Sequence, residues 1–145
     1  NRSFYTEEIN RLERSFSRPV SCIFLDMNGL KQTNDELGHD IGDGLLRRVG
    51  AVLNQVILNT PYTASRVGGD EFVILMPSAD EVATLSVLQT IQELFNIDNQ
   101  YYSSQPISIS IGHATSQPNE SIEALLKRAD NDMYIKKKNH YAALN

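Results

Sequence analysis

Thr63-Ala64-Ser65-Arg66-Val67-Gly68-Gly69-Asp70-Glu71-Phe72-Val73-Ile74-Leu75-Met76 sets two β-prone runs on either side of a glycine pair. Such a pair suits a tight two-residue hairpin turn, whose positions need φ > 0, so residues 63–67 and 70–76 are expected to form an antiparallel hairpin. Upstream, residues 20–26 form a continuous apolar run (Val20, Cys22, Ile23, Phe24, Leu25) after Pro19, the pattern of a strand buried on both faces and ending on Asp26. Downstream, Ile107, Ile109 and Ile111 alternate with Ser108 and Ser110, the period-two sign of a strand with one buried face.

Helical spacing fills the intervals. Phe4, Ile9, Leu12 and Phe16 predict an amphipathic helix over 4–16. From Gly42, the stripe Leu45, Leu46, Val49, Val52, Leu53 and Val56 predicts a helix of about four turns, ended by Asn59-Thr60-Pro61. Ser78 with Glu81 has the form of a capping box, ahead of Val82, Leu85, Leu88, Ile91 and Phe95. Ile122, Leu125, Leu126, Ala129 and Met133 predict a last helix running into Lys136-Lys137-Lys138, cations that complement the helix dipole. The order helix, strand, helix, hairpin, helix, strand, helix implies an α/β (α+β) domain with helices on a mostly antiparallel sheet.

The chain has 145 residues, 13 Lys plus Arg and 18 Asp plus Glu, a formal charge of −5. Length, 41% hydrophobic and 21% charged residues fit one domain with a real core and exclude disorder. No apolar run approaches the roughly 20 residues needed to span a bilayer, and the lone Cys22 builds no disulfide framework, so a cytoplasmic setting is expected. The acidic balance argues against a nucleic-acid partner, so phosphate-bearing ligands must be met by local features or by a metal.

The acids mark where chemistry would sit. Asp26 follows a buried strand, and Asp70 and Glu71 follow the glycine pair, at what would be the rim of the sheet. If the first strand pairs beside the hairpin, Asp26 converges with one of the two hairpin acids, since adjacent strands lie about 4.8 Å apart. Which acid it meets stays open, because successive side chains point to opposite faces. Carboxylates brought that close repel unless a cation lies between them, and oxygen donors favour Mg²⁺ or Mn²⁺. Met27-Asn28-Gly29-Leu30-Lys31 could offer backbone N–H groups and one positive charge to phosphate, ahead of a helical turn. The stretch Gly38-His39-Asp40-Ile41-Gly42-Asp43 reads as a turn ahead of the Gly42 helix; with only His39, His113 and His140 present, a His/Asp phosphohydrolase site would be short of ligands.

Arg66-Val67-Gly68-Gly69-Asp70-Glu71-Phe72 resembles the signature of the GGDEF domain family, the diguanylate cyclases of bacterial signalling. Asp26-Met27-Asn28-Gly29-Leu30-Lys31, with Asn34 and Asp35, resembles its phosphate segment in the Asn-Gly-Leu-Lys form, and Gly38-His39 with Gly42-Asp43 its base-binding segment. Ser108-Ile109-Ser110-Ile111-Gly112 and Ala129-Asp130 with Met133-Tyr134 follow in order.

The resemblance implies a palm-like nucleotidyl-cyclase fold and the condensation of two GTP into cyclic di-GMP and two pyrophosphates, across a homodimer with one GTP per subunit. It implies Asp26, the Met27 carbonyl and Asp70 as ligands of Mg²⁺ or Mn²⁺, and Asp70, Glu71 and Lys31 as catalytic residues. Substrate would be held by Gly29, Leu30, Lys31, Asn34, His39, Asp43, Gly68, Gly69 and Lys137. The alternative is a catalytically inactive GTP-binding regulatory module, against which the intact Gly-Gly-Asp-Glu-Phe run speaks.

Three departures stand out. The family's C-terminal arginine is absent from Lys136-Lys137-Lys138-Asn139-His140-Tyr141. Its Arg-x-x-Asp product site is replaced by Asn59-Thr60-Pro61-Tyr62, so product inhibition there is not expected. Asn1-Arg2 looks like the end of the family's opening motif, so residues 1–145 are expected to be a single GGDEF domain within a larger protein, with an upstream sensory or regulatory domain and a parent that could be membrane-anchored.

Overall fold

The computed structural model describes residues 2–14 and 18–144. Helix α1 (Arg2–Arg14) precedes β1 (Ser21–Met27), α2 (Leu30–Leu37), α3 (His39–Ile57), β2 (Thr63–Arg66), β3 (Glu71–Met76), α4 (Glu81–Tyr101), β4 (Ile109–Thr115) and α5 (Ile122–Ala143). The strands form one antiparallel sheet in the order β2-β3-β1-β4. Among the described residues no helix is long and apolar enough to cross a membrane.

The run that reads as a doubly buried strand takes the centre of the sheet. Ile23, Leu25 and Met27 of β1 point with Phe72, Ile74 and Met76 of β3 towards α3 and α4, against Leu45, Val49, Val52, Leu53, Ile91 and Phe95. The alternate residues Cys22, Phe24, Val73 and Leu75 face α1 and α5, against Tyr5, Leu12, Ile122, Leu125, Ala129 and Met133. Gly112 of β4 lets α5 come close. A Cβ there would collide with the α5 backbone at Ala129 and Met133.

Several expectations need correction. The hairpin forms, but its loop covers residues 67–70 and neither Gly68 nor Gly69 takes positive φ. The wider loop is held by Arg66, whose Nη2 donates to Gly69 O at 2.8 Å and whose Nε donates to Gly68 O at 3.1 Å. Residues 38–43 are not a plain turn: Gly38, at φ +92, separates α2 from α3, and α3 begins at His39.

The N-cap of α4 is Asp80, whose side chain accepts from Ala83 N–H, rather than Ser78. Its buried stripe runs through Thr84, Ile91 and Phe95, which leaves Val82 and Leu85 exposed. The last strand is shifted to Ile109–Thr115, because Asn99 clamps Ile107 outside the ladder through both its N–H (2.7 Å) and its C=O (2.9 Å). There Ser110 is buried while Ile109 and Ile111 are only partly so, since the edge strand is tucked under α5. Phe16 of the first predicted helix lies outside the described residues.

Candidate active site

The site grows from the register of β1. Asp26 stands directly opposite Glu71 on β3 and opposite Ser110 on β4. Asp70 precedes β3 and fixes that end of the ladder, its C=O accepting from Met27 N–H at 2.9 Å. Asp26 therefore meets both hairpin acids. Glu71 is its cross-strand partner, and the Asp70 carboxylate is near enough to push the Asp26 carboxyl up.

A third element supplies the cation. Lys137 Nζ on α5 donates to Asp26 Oδ1 at 2.8 Å and to Met27 O at 3.0 Å. These are two of the three metal ligands that the family resemblance implies, so a positive charge on them is compatible with the fold. Among the described residues no three acidic, His or Cys side chains are gathered as a ready-made chelate. The donors are hard oxygens, two carboxylates and a carbonyl, a set that fits a mostly hydrated Mg²⁺ or Mn²⁺ rather than a caged ion.

The electrostatics record the crowding. Burial, and then the Asp70 carboxylate, push the Asp26 carboxyl above its ordinary range, and Lys137 only partly opposes them. Glu71 is pushed up as well, by burial first and then by Asp130 of α5, Asp26 and Asp70, against a smaller opposing effect of Arg2. Neither Asp130 nor Arg2 belonged to the predicted site; Arg2 also donates to Val67 O at 2.8 Å, joining α1 to the hairpin loop.

Beside the acids, the loop after β1 runs into α2. Gly29 takes φ +73, a left-handed conformation open to glycine, and serves as N-cap of α2. Asn28 pins the loop to the edge strand: its N–H donates to Ser108 O at 2.8 Å, and its amide exchanges bonds with the hydroxyls of Ser108 (3.1 Å) and Ser110 (3.0 Å). The Gly29 N–H donates to the Tyr141 hydroxyl at 2.9 Å, a contact with no sequence signal because 112 residues separate the two.

Between α2, α3 and the hairpin loop lies an open cleft of about 430 Å³. Seven predicted residues line it: Leu30, Lys31, Asn34, His39, Asp43, Gly69 and Asp70. Asp35, Leu46 and Arg66 join them. Of these, Arg66 had a legible signal, a cation three residues before Asp70's own glycine neighbour. Asp26, Met27, Gly29, Gly68, Glu71 and Lys137 are not among its lining residues, though Asp26 and Glu71 adjoin Asp70, which is.

Gly42 allows the closest approach in this region, since a Cβ there would run into the Asn34 amide. The Asn34 Oδ1 is buried there without a hydrogen-bond partner. An unmet buried acceptor costs about 1–3 kcal/mol, a cost that a turn of the Asn34 amide towards a donor in the cleft would relieve. A second cleft of about 470 Å³, between α4, β4 and α5, is lined by amides, apolar groups, Lys136 and His140, and holds none of the acids.

Residues 1–142 match the family described as "Diguanylate cyclase, GGDEF domain". The signaling protein YkoW of Bacillus subtilis is 34% identical over 143 residues, which covers 93% of this chain and 17% of that protein. Diguanylate cyclase DosC of Escherichia coli is 31% identical over 139 residues, covering 94% of this chain and 30% of that protein. This chain thus spans less than a third of the length of either relative. Among solved structures, the GGDEF domain of DgcB from Caulobacter crescentus, in complex with c-di-GMP, superposes with a TM-score of 0.83 at 26% identity, covering 97% of this chain and 84% of that one. The active GGEEF domain of a diguanylate cyclase from Vibrio cholerae gives 0.74 at 25% identity, over 94% and 84%. A match over nearly the whole length, with the same fold, makes this chain a member of the GGDEF domain family.

Proposed function

We propose that this domain is a diguanylate cyclase that joins two GTP into cyclic di-GMP. The observation that carries the reading is the meeting of Asp26 and Glu71 with Asp70, which lines the same cleft as Asn34 and Asp43. Guanine presents adjacent N1–H and N2–H donors, which suit the Asp43 carboxylate and the unpartnered Asn34 oxygen, whereas adenine would offer an acceptor there. His39 flanks the base. Gly29 and Leu30 offer backbone N–H groups to the phosphates, and Lys31 and Lys137 neutralise their charge. Gly68 and Gly69 carry no side chain where the ribose and α-phosphate reach the loop.

Asp26, the Met27 carbonyl and Asp70 would hold Mg²⁺ or Mn²⁺, which when bound lowers the pKa of the ribose hydroxyl and offsets charge on the phosphoryl oxygens. The Glu71 carboxylate, opposite Asp26 on the ladder, takes up the 3′-hydroxyl proton. The 3′-oxygen forms a bond to the α-phosphorus of a second GTP and the bond to pyrophosphate breaks. The acids adjoin one cleft per chain, so two copies facing each other supply two nucleotides, each hydroxyl meeting the other's α-phosphate. The relatives are much longer than this chain, and a segment outside the matched region would control the encounter.

The test is incubation of the protein with GTP and Mg²⁺ or Mn²⁺, following cyclic di-GMP by chromatography at several protein concentrations. Product per chain should rise with concentration. Tight GTP binding with no product at any concentration would instead assign the regulatory, inactive role.

A further inference from the structure

The end of α5 reaches the loop that the GTP reading assigns to phosphate. Tyr141 follows Lys137 by four residues, one helical turn, so both side chains leave the same face of the helix. Lys137 lies on Asp26 and Met27, and the Tyr141 hydroxyl accepts the Gly29 N–H at 2.9 Å. One helix face thus brings a positive charge to the acids and an oxygen to the amide, the pattern that a cation and a phosphate oxygen would bring.

A backbone N–H has one hydrogen to donate. While Gly29 gives it to Tyr141, it cannot give it to a phosphate. We propose that Tyr141 is a gate on the phosphate loop: its hydroxyl competes with a substrate phosphate oxygen for the Gly29 amide. This rests on the GTP reading above. The charged oxygen is the stronger acceptor, so substrate wins, but its affinity is lowered by the contact it displaces. Tyr141 lies two residues before the last residue of α5, where a terminal turn opens more readily than the helix middle, and Leu144 beyond it is exposed. Lys137, a turn further in, keeps its place on the helix and its reach to the phosphates.

Tyr141→Phe removes the oxygen and keeps the ring. Calorimetry on the whole chain with Mg²⁺ and the unreactive analogue α,β-methylene GTP should show the variant binding about two- to tenfold more tightly, the worth of one ordinary hydrogen bond. Guanosine, which has no phosphate, should bind both proteins equally. Without any ligand, hydrogen exchange at the Gly29 amide should be faster in the variant. Equal triphosphate binding, or unchanged exchange, overturns the gate while guanosine binding leaves the GTP reading standing. Weaker triphosphate binding by the variant also overturns it, marking the hydroxyl as a phosphate ligand. Failure of both proteins to bind guanosine and the analogue brings down the gate and the GTP reading together.

Discussion

The two ends of β1 differ more than their shared strand suggests. At one end Ser21 is fully buried, yet its hydroxyl donates to Ala79 O at 2.8 Å and lies 2.7 Å from the Thr115 hydroxyl, so its polarity is met inside the fold. At the other end Asp26 faces Glu71 across the ladder, an arrangement of like charges that ordinarily destabilises a sheet. Lys137 offsets it at Asp26 and Arg2 more weakly at Glu71, and both carboxyls remain above their ordinary range. One end of the strand is closed by its own partners. The other is stable enough to persist but is built to receive positive charge from outside the sheet.

The sharpest way to break the comparison is to remove an acid from the open end. Asp70→Ala should lower cyclic di-GMP formation by about a thousandfold or more, roughly 4 kcal/mol of transition-state stabilisation, with melting temperature nearly unchanged. A large thermal loss without that catalytic loss would make Asp70 a structural residue, and the two ends alike.

Gly112→Ala acts in the closed part, between the ends, where a Cβ meets the α5 backbone rather than a flexible side chain. It should destabilise the fold by about 2–3 kcal/mol, read in denaturant, by pushing α5 off β4. Lys137 rides on that helix, so the ion pair with Asp26 should loosen too. An unchanged denaturation midpoint would show that α5 can shift at little cost.

Glu71→Gln has the smallest expected effect and reports most directly on the crowding. Because the folded chain holds protons on Asp26 and Glu71 more tightly than the unfolded chain does, stability in the absence of divalent cations should fall as pH rises through and above the ordinary carboxylate range. The glutamine variant loses its share of that fall. At pH near 3, where the glutamate is protonated, the two proteins should melt alike; at neutral pH the variant should melt a few degrees higher, for a gain within about 1 kcal/mol. Millimolar Mg²⁺ should narrow the gap. A variant less stable than the parent at neutral pH would mean that Glu71 is well compensated and the open end is not strained.

Much of this was readable in the chain. The apolar run over 20–26 demanded a central strand, the glycine pair a hairpin, and the helical stripes the flanking layers, because burial of apolar surface imposes those periods locally. Leu30, Lys31, Asn34, His39 and Asp43 were marked by the family resemblance, and they share one cleft because α2 and α3 adjoin in sequence. The errors came where a local signal lost to a tertiary contact. Gly68 and Gly69 kept negative φ because Arg66 holds a wider loop, Asn99 shifted the start of β4, and α4 rotated its stripe towards Thr84.

What the sequence determined by itself was the alternation of strands and helices and the kind of groups a site would contain. The choice of acid opposite Asp26 was decided by the antiparallel register of β1 and β3, in which a one-residue slip would have turned Glu71 to the other face. Lys137 on Asp26 and Tyr141 on Gly29 were decided by the packing of α5 against a glycine in β4. Those contacts join residues more than a hundred positions apart, and a local pattern carries no information about which distant surfaces will meet.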